Sequence, residues 1–176
     1  IQVISPNGPF VVYTTHSIDD ASGNNNGLVD YSELIDLSVD FQNIGISNTQ
    51  NINIEISTND PYVTLIDSID MISILNPSQI SSTSSPFRFQ VSSFVPDQHT
   101  VLFDFIINDS NMNVWYANLN ITLNAPVPNS TSFLIDDGVL GNGRLDAGET
   151  VDLIIDIENI GHASTDTLTP SLSSNS

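Results

Sequence analysis

Carboxylates and amides set at short intervals around glycine occur twice in this chain. The first stretch runs Asp19-Asp20-Ala21-Ser22-Gly23-Asn24-Asn25-Asn26-Gly27-Leu28-Val29-Asp30-Tyr31-Ser32-Glu33. The second runs Asp136-Asp137-Gly138-Val139-Leu140-Gly141-Asn142-Gly143-Arg144-Leu145-Asp146-Ala147-Gly148-Glu149. Oxygen ligands so spaced suit the holding of a hard divalent cation. Calcium takes six to eight oxygens at about 2.3–2.6 Å, from carboxylates, amides and main-chain carbonyls. With Gly27 at the sixth position of a calcium loop, Ser22, Asn24 and Asn26 fall at the first, third and fifth. Asp30 then falls at the ninth and Glu33 at the twelfth, with the Leu28 carbonyl at the seventh.

The loop departs from an EF-hand in two respects. Its first position is Ser rather than Asp, and the following residues alternate like a strand. In the second copy Gly138 and Leu140 occupy the first and third positions, where neither side chain can bind. The missing acidic ligands are expected from Asp19 and Asp20, and from Asp136 and Asp137. The candidate ligands are therefore Asp19, Asp20, Asn24, Asn26, Leu28, Asp30 and Glu33 in the first loop. In the second they are Asp136, Asp137, Asn142, Arg144 (through its carbonyl), Asp146 and Glu149. No sulfur or imidazole lies in either loop, which disfavours zinc and copper; magnesium stays open, with its stricter octahedron. The competing reading is an Asx-rich turn joining two strands.

The two copies align at one offset, since 136−20, 142−26, 143−27, 146−30, 149−33 and 161−45 all equal 116. A period that long describes a tandem array of whole domains. After each loop comes an alternating run: Ile35, Leu37, Val39, Phe41 and then Val151, Leu153, Ile155, Ile157, with polar residues between them except at Ile154. Period-two alternation places one face in a core and one in water. Further strands are expected over 10–15, 52–56, 62–66, 87–91, 101–107 and 114–123, separated by Asn, Asp, Ser, Pro and Gly clusters. No segment has a sustained helical period.

The fold expected is all-β, with tandem immunoglobulin-like β-sandwich domains of which the second is incomplete. Residues 1–9 read as the end of a preceding repeat and its linker, 10–124 as a complete repeat, and 125–130 as a stiff proline-bearing linker. Residues 131–176 read as the first part of a second repeat. Half a sandwich is not expected to be stable alone, so further sequence or another chain should complete it.

Composition narrows the function. The 176 residues contain 21 Asp and Glu, two Arg, no Lys and no Cys, for a net charge of −19. Such a charge repels nucleic acid and anionic membranes and suits divalent cations. The 39% apolar content is enough for a core, and no apolar run is long enough to span a bilayer. Without cysteine there are no disulfides, thiolate metal sites or thiol nucleophiles. His16, His99 and His162 are far apart, and no serine lies in a Gly-x-Ser-x-Gly elbow. No catalysis is expected. Phe103, Phe105, Trp115 and Tyr116 read as core rather than as a sugar-stacking platform.

Residues 141–153 (Gly-Asn-Gly-Arg-Leu-Asp-Ala-Gly-Glu-Thr-Val-Asp-Leu), followed by Asn159-Ile160-Gly161, resemble the immunoglobulin-like repeats of secreted Bacteroidota proteins. Those repeats occur C-terminal to gingipain-type proteases and in other type IX secretion cargo. The likeness extends through 57–65, 96–105 and Val114-Trp115-Tyr116, although Tyr31-Ser32 departs from the small or Pro residue then Gly favoured there. It implies an extracellular or cell-surface β-sandwich with a structural calcium ion. The function expected is a calcium-stiffened, non-catalytic stalk or adhesin repeat; alternatives are an accessory protease module or a subunit of an extracellular filament. Expected partners are neighbouring repeats, with identical chains and a glycan or protein ligand left open, and with no nucleic acid or membrane insertion.

Overall fold

A computed structural model describes residues 7–138 and 141–173. The chain divides into two units, Ile1–Asn124 and Ala125–Ser176. Ile1–Ile4, read above as the end of a preceding repeat, and Leu140 lie outside the described residues.

The first unit is an all-β, immunoglobulin-like sandwich. Its strands are β1 (Val11–Asp19), β2 (Val29–Asp30), β3 (Leu34–Asn43), β4 (Thr49–Ser57), β5 (Val63–Asp67), β6 (Ile69–Leu75), β7 (Ile80–Ser82), β8 (Phe87–Val91), β9 (His99–Asn108) and β10 (Val114–Asn124). One sheet has the order β1-β3-β8-β5, with β7 also on β3; the other has the order β2-β10-β9-β4-β6. All pairs are antiparallel except the short parallel contact of β2 with the end of β10.

Alternation decides which side chains enter the core. Ile35, Leu37, Val39 and Phe41 of β3 are each 0% exposed, as are Phe103 and Ile107 of β9, while the residues between them face outward. The two sheets meet through rings. Phe105 stands edge-on to Phe41 at 5.7 Å and lies 5.9 Å from Phe87, and Phe89 lies 5.2 Å from Phe103. Aromatic pairs in such arrangements add to the area they bury.

Three strands of this unit escaped the sequence reading, the two-residue β2, β6 and β7. The run from Val63 to Leu75 is broken only at Ser68, where the chain leaves one sheet and joins the other. The parity that faces inward changes at that crossing, from Val63 and Leu65 to Ile72, while Ile69 and Met71 keep the earlier parity and are exposed. Tyr116 is a second correction. Trp115, Phe103 and Phe105 are buried as expected, but Tyr116 is 75% exposed.

The second unit contains β11 (Pro128–Asp136) and β12 (Asp152–Asn159), paired antiparallel. β11 begins inside the expected 125–130 linker; proline is accommodated at the first residue of a strand, where its missing N–H costs least. Leu153, Ile155 and Ile157 are 41–47% exposed. Their counterparts Leu37, Val39 and Phe41 are fully buried in the first unit.

Candidate metal centre

The first acidic loop connects β1 to β3 and carries β2 within it. Asp20 leaves β1 as the chain turns, with the Gly23 N–H bonded to the Asp20 carbonyl at 2.7 Å. The loop then folds back over the Asp20 carboxylate, whose Oδ2 accepts the backbone N–H groups of Asn26 (2.8 Å) and Gly27 (3.0 Å). Two successive N–H groups on one oxygen form a small anion-binding concavity. Gly27 has φ +79°, a conformation that glycine adopts without strain.

Asp30 is the hub. Its Oδ2 accepts the side-chain amides of Asn24 (2.7 Å) and Asn26 (2.9 Å), and its Oδ1 accepts that of Asn124 (3.1 Å). Glu33 closes the loop, taking the Asn24 N–H on Oε1 (2.9 Å) and the Asp30 N–H on Oε2 (3.0 Å). Gly23 makes room for it, since a Cβ there would collide with the Glu33 carboxylate. Asp20, Asp30 and Glu33 are 2%, 1% and 6% exposed.

Other expected ligands sit differently. Asp19 accepts the Ala21 N–H (3.0 Å) and caps the turn from outside, and Ser22 is exposed on it. Leu28 contributes its N–H to Asn26 Oδ1 (2.7 Å).

The second loop repeats part of this network, with one change of register. Asn142 and Gly143 donate to Oδ2 of Asp137 (2.7 and 2.9 Å), while Asp136 accepts the Gly138 N–H as Asp19 accepts that of Ala21. Asn142 Nδ2 reaches Asp146 Oδ2 (2.9 Å), Arg144 N reaches Asn142 Oδ1 (2.9 Å), and Asp146 N reaches Glu149 Oε2 (3.0 Å). The counterpart of Asp20 is therefore Asp137, not Asp136, and the single offset of 116 fails at the aspartates, because 137−20 is 117. The whole of β11 shares the larger offset: the irregularity at Tyr13/Thr15 recurs at Ser130/Ser132. The second loop is one residue shorter. Gly141 allows the tighter path, since a Cβ there would strike the Asp137 carboxylate. Desolvation alone would raise the Asp137 carboxyl, but hydrogen bonds from backbone N–H groups, those of Gly143 and Asn142 foremost, prevail and hold it below the usual carboxylate range. Asp146 and Glu149 are exposed and Asp137 is half-buried, whereas the first loop is covered where β2 pairs with β10.

Two contributors were assigned no structural role from the sequence. Asn124 is one, although Asn124-Ala125-Pro126 repeats Asn7-Gly8-Pro9 at the offset of 117 and could have flagged it. The other is the Asn-Ile-Gly that follows each alternating run. Asn43 Oδ1 accepts the N–H groups of Phe10 (3.0 Å) and Gly45 (2.9 Å), and its Nδ2 donates to the carbonyls of Ser47 (2.7 Å) and Leu75 (3.1 Å). Asn159 does the same for Val127, Gly161 and Ala163.

The donor chemistry fits a hard cation, for only oxygen-bearing side chains and carbonyls face this site. The oxygens are turned onto N–H groups, however, and among the described residues no three Asp, Glu or His side chains converge as a ligand set.

No family model and no curated protein matches this chain. Similar solved structures include native alpha-2-macroglobulin from Escherichia coli, spanning domain MG7 to the C-terminus, at 10% identity and TM-score 0.48, over 75% of this chain and 20% of that one. A CARDB domain from Pyrococcus furiosus, in complex with di-metal ions, matches at 13% identity and TM-score 0.40, over 69% and 94%. A FixG-related protein from Vibrio parahaemolyticus matches at 12% and 0.37, over 68% and 98%. The chain thus spans about a fifth of the alpha-2-macroglobulin chain.

Proposed function

We propose that this chain is a non-catalytic structural module of a secreted or surface-displayed protein, stiffened by calcium in its acidic loops. The observation that carries the reading is the joint burial of Asp20, Asp30 and Glu33 in one loop. N–H donors satisfy their lone pairs but bring no full charge, and buried negative groups are costly without a cation. The unit has little to offer. There is no lysine, and Arg88 is committed to Asp36 through Nε at 2.6 Å and Nη2 at 2.7 Å.

Asp20, Asp30 and Glu33 would hold the ion in the first loop, with amide oxygen from Asn24 and Asn26 and the Leu28 carbonyl. Asp137, Asn142, Asp146, Glu149 and the Arg144 carbonyl would do so in the second. The ion would neutralise charge and tie the end of β1 to the start of β3. Since Asn24 and Asn26 present nitrogen to Asp30, binding requires their amides to turn. The likeness of residues 141–153 to secreted Bacteroidota repeats supports an extracellular setting, where modules bind calcium at about 10⁻⁴–10⁻³ M.

Calorimetric titration of calcium into chelator-stripped protein, with melting followed in parallel, tests the reading. Saturable heat and a higher melting temperature are expected. No heat and unchanged melting would leave the loops as Asx turns held by hydrogen bonds alone.

A further inference from the structure

The two outer faces of the first unit differ in kind. On the β1-β3-β8-β5 sheet, Asp36, Ser38, Asp40 and Gln42 alternate along the outside of β3, with Arg88 beside Asp36. A polar outer face is the ordinary state of an antiparallel sheet with its other side on the core. The outer face of β9 and β10 instead places the aromatic ring of Tyr116 opposite Ile106, and Asn118 opposite Asp104, which itself faces Ser57 of β4. These five residues line a shallow groove of about 350 Å³.

The polar groups there are uncommitted. Elsewhere Asp36 binds Arg88, Asp70 binds Ser84 and Ser85, and Asp109 binds Thr49 and Asn113. Among the described residues, the side chains of Ser57, Asp104, Tyr116 and Asn118 make no hydrogen bond within the chain.

We infer that this groove is a binding site for a neutral glycan. A pyranose ring has an apolar C–H face, which suits a rigid, amphipathic tyrosine, and an edge of hydroxyls. The Asp104 carboxylate only accepts and can take hydroxyl donors, while Asn118 and Ser57 both donate and accept. Acidic glycans are repelled by a chain of net charge −19. A protein partner fits less well, because the row Tyr116–Ile106 continues through Glu55 before reaching Ile69, and protein interface centres are depleted of charge. A second copy would set Glu55 and Asp104 against their own kind.

The test is to apply the calcium-loaded full chain to printed neutral and acidic glycans, then titrate the best neutral oligosaccharide by calorimetry. Tyr116→Ala and Asp104→Asn are compared with Ser38→Ala on the opposite face. Since Tyr116 is exposed, its variant should keep the native melting temperature. Binding confined to neutral glycans, weakened about tenfold or more by Tyr116→Ala and untouched by Ser38→Ala, is expected; that is the scale of losing one stacked ring. A blank array, binding of acidic glycans alone, or binding that survives Tyr116→Ala overturns the inference. A blank array together with Tyr116-dependent selection of displayed peptides would overturn it in favour of a protein-contact face.

Discussion

The carboxylate of Asp30 receives the side-chain amide of Asn124 at 3.1 Å, across 94 positions of the chain. This bond joins the floor of the acidic loop to the last residue of β10, beside the parallel pairing of Val29 with Leu123. The loop is thereby fastened to both ends of the unit, and Asn124 is the residue immediately before the Ala125-Pro126 step. Asn124→Ala leaves Asp30 buried with one donor fewer. A loss of about 1–3 kcal/mol is expected in urea unfolding; an unchanged midpoint would mean that water replaces the amide without cost.

The register of the aspartates separates two residues that sequence alone makes equivalent. Asp20→Asn should abolish the calcium-dependent rise in melting temperature, and Asp19→Asn should leave it nearly intact. In the second loop Asp137→Asn should weaken calcium binding far more than Asp136→Asn. Equal effects within either pair, read by calorimetry, would contradict the assignment of Asp20 and Asp137 as the inner carboxylates.

The Asn-Ile-Gly clasp carries its own expectation. Asn43 is 0% exposed and makes four hydrogen bonds to the backbone, so Asn43→Ala should cost at least about 1–3 kcal/mol. Gly45→Ala should be similarly harmful, because its Cβ would collide with backbone atoms of Gly8 and Phe10. Both losses should appear with and without calcium, which distinguishes them from loop variants. A clasp variant whose effect vanished in chelator would show that the clasp and the loop act as one.

Acid should reveal a third fastening. Burial alone would raise the Asp109 pKa, but hydrogen bonds from the Asn113 side chain, from Thr49 and from the Asn113 and Asn111 backbones prevail and hold it below the ordinary carboxylate range. A carboxyl depressed in the folded state contributes stability that is complete above its unfolded value of about 3.9 and is lost as pH falls through its folded value. Unfolding free energy should therefore decline below about pH 4–5. Asp109→Asn should flatten that acid limb, although Asp36, held low first by its hydrogen bond to Arg88, keeps part of it. An unchanged limb would place the acid sensitivity elsewhere.

Local chemistry made much of this molecule legible. The alternation at Ile35, Leu37, Val39 and Phe41 identifies β3 and its buried face, because a strand's two faces are set by neighbours two residues apart. Phe87–Val91 was read to its ends for the same reason. β6 was not, because the crossing at Ser68 changes which parity faces inward. Trp115 and Tyr116 could not both have entered the core of one strand, yet only the pairing of β10 with β9 decided that the indole is buried and the phenol left in water.

By itself the sequence determined the all-β class, the repeated acidic loop and the lack of sulfur and imidazole in it, since each depends on residue type and short spacing. Tertiary structure decided three things. It matched Asp137 rather than Asp136 to Asp20, because a one-residue shortening inside a glycine- and asparagine-rich loop puts the sequence before it at an offset of 117 and the sequence after it at 116, and the N–H groups of Asn142 and Gly143 choose the carboxylate. It brought Asn124 to Asp30, and it turned Tyr116 outward. Each of these depends on which distant strands meet, and strand pairing is fixed by burial summed over both sheets rather than by any local stretch of chain.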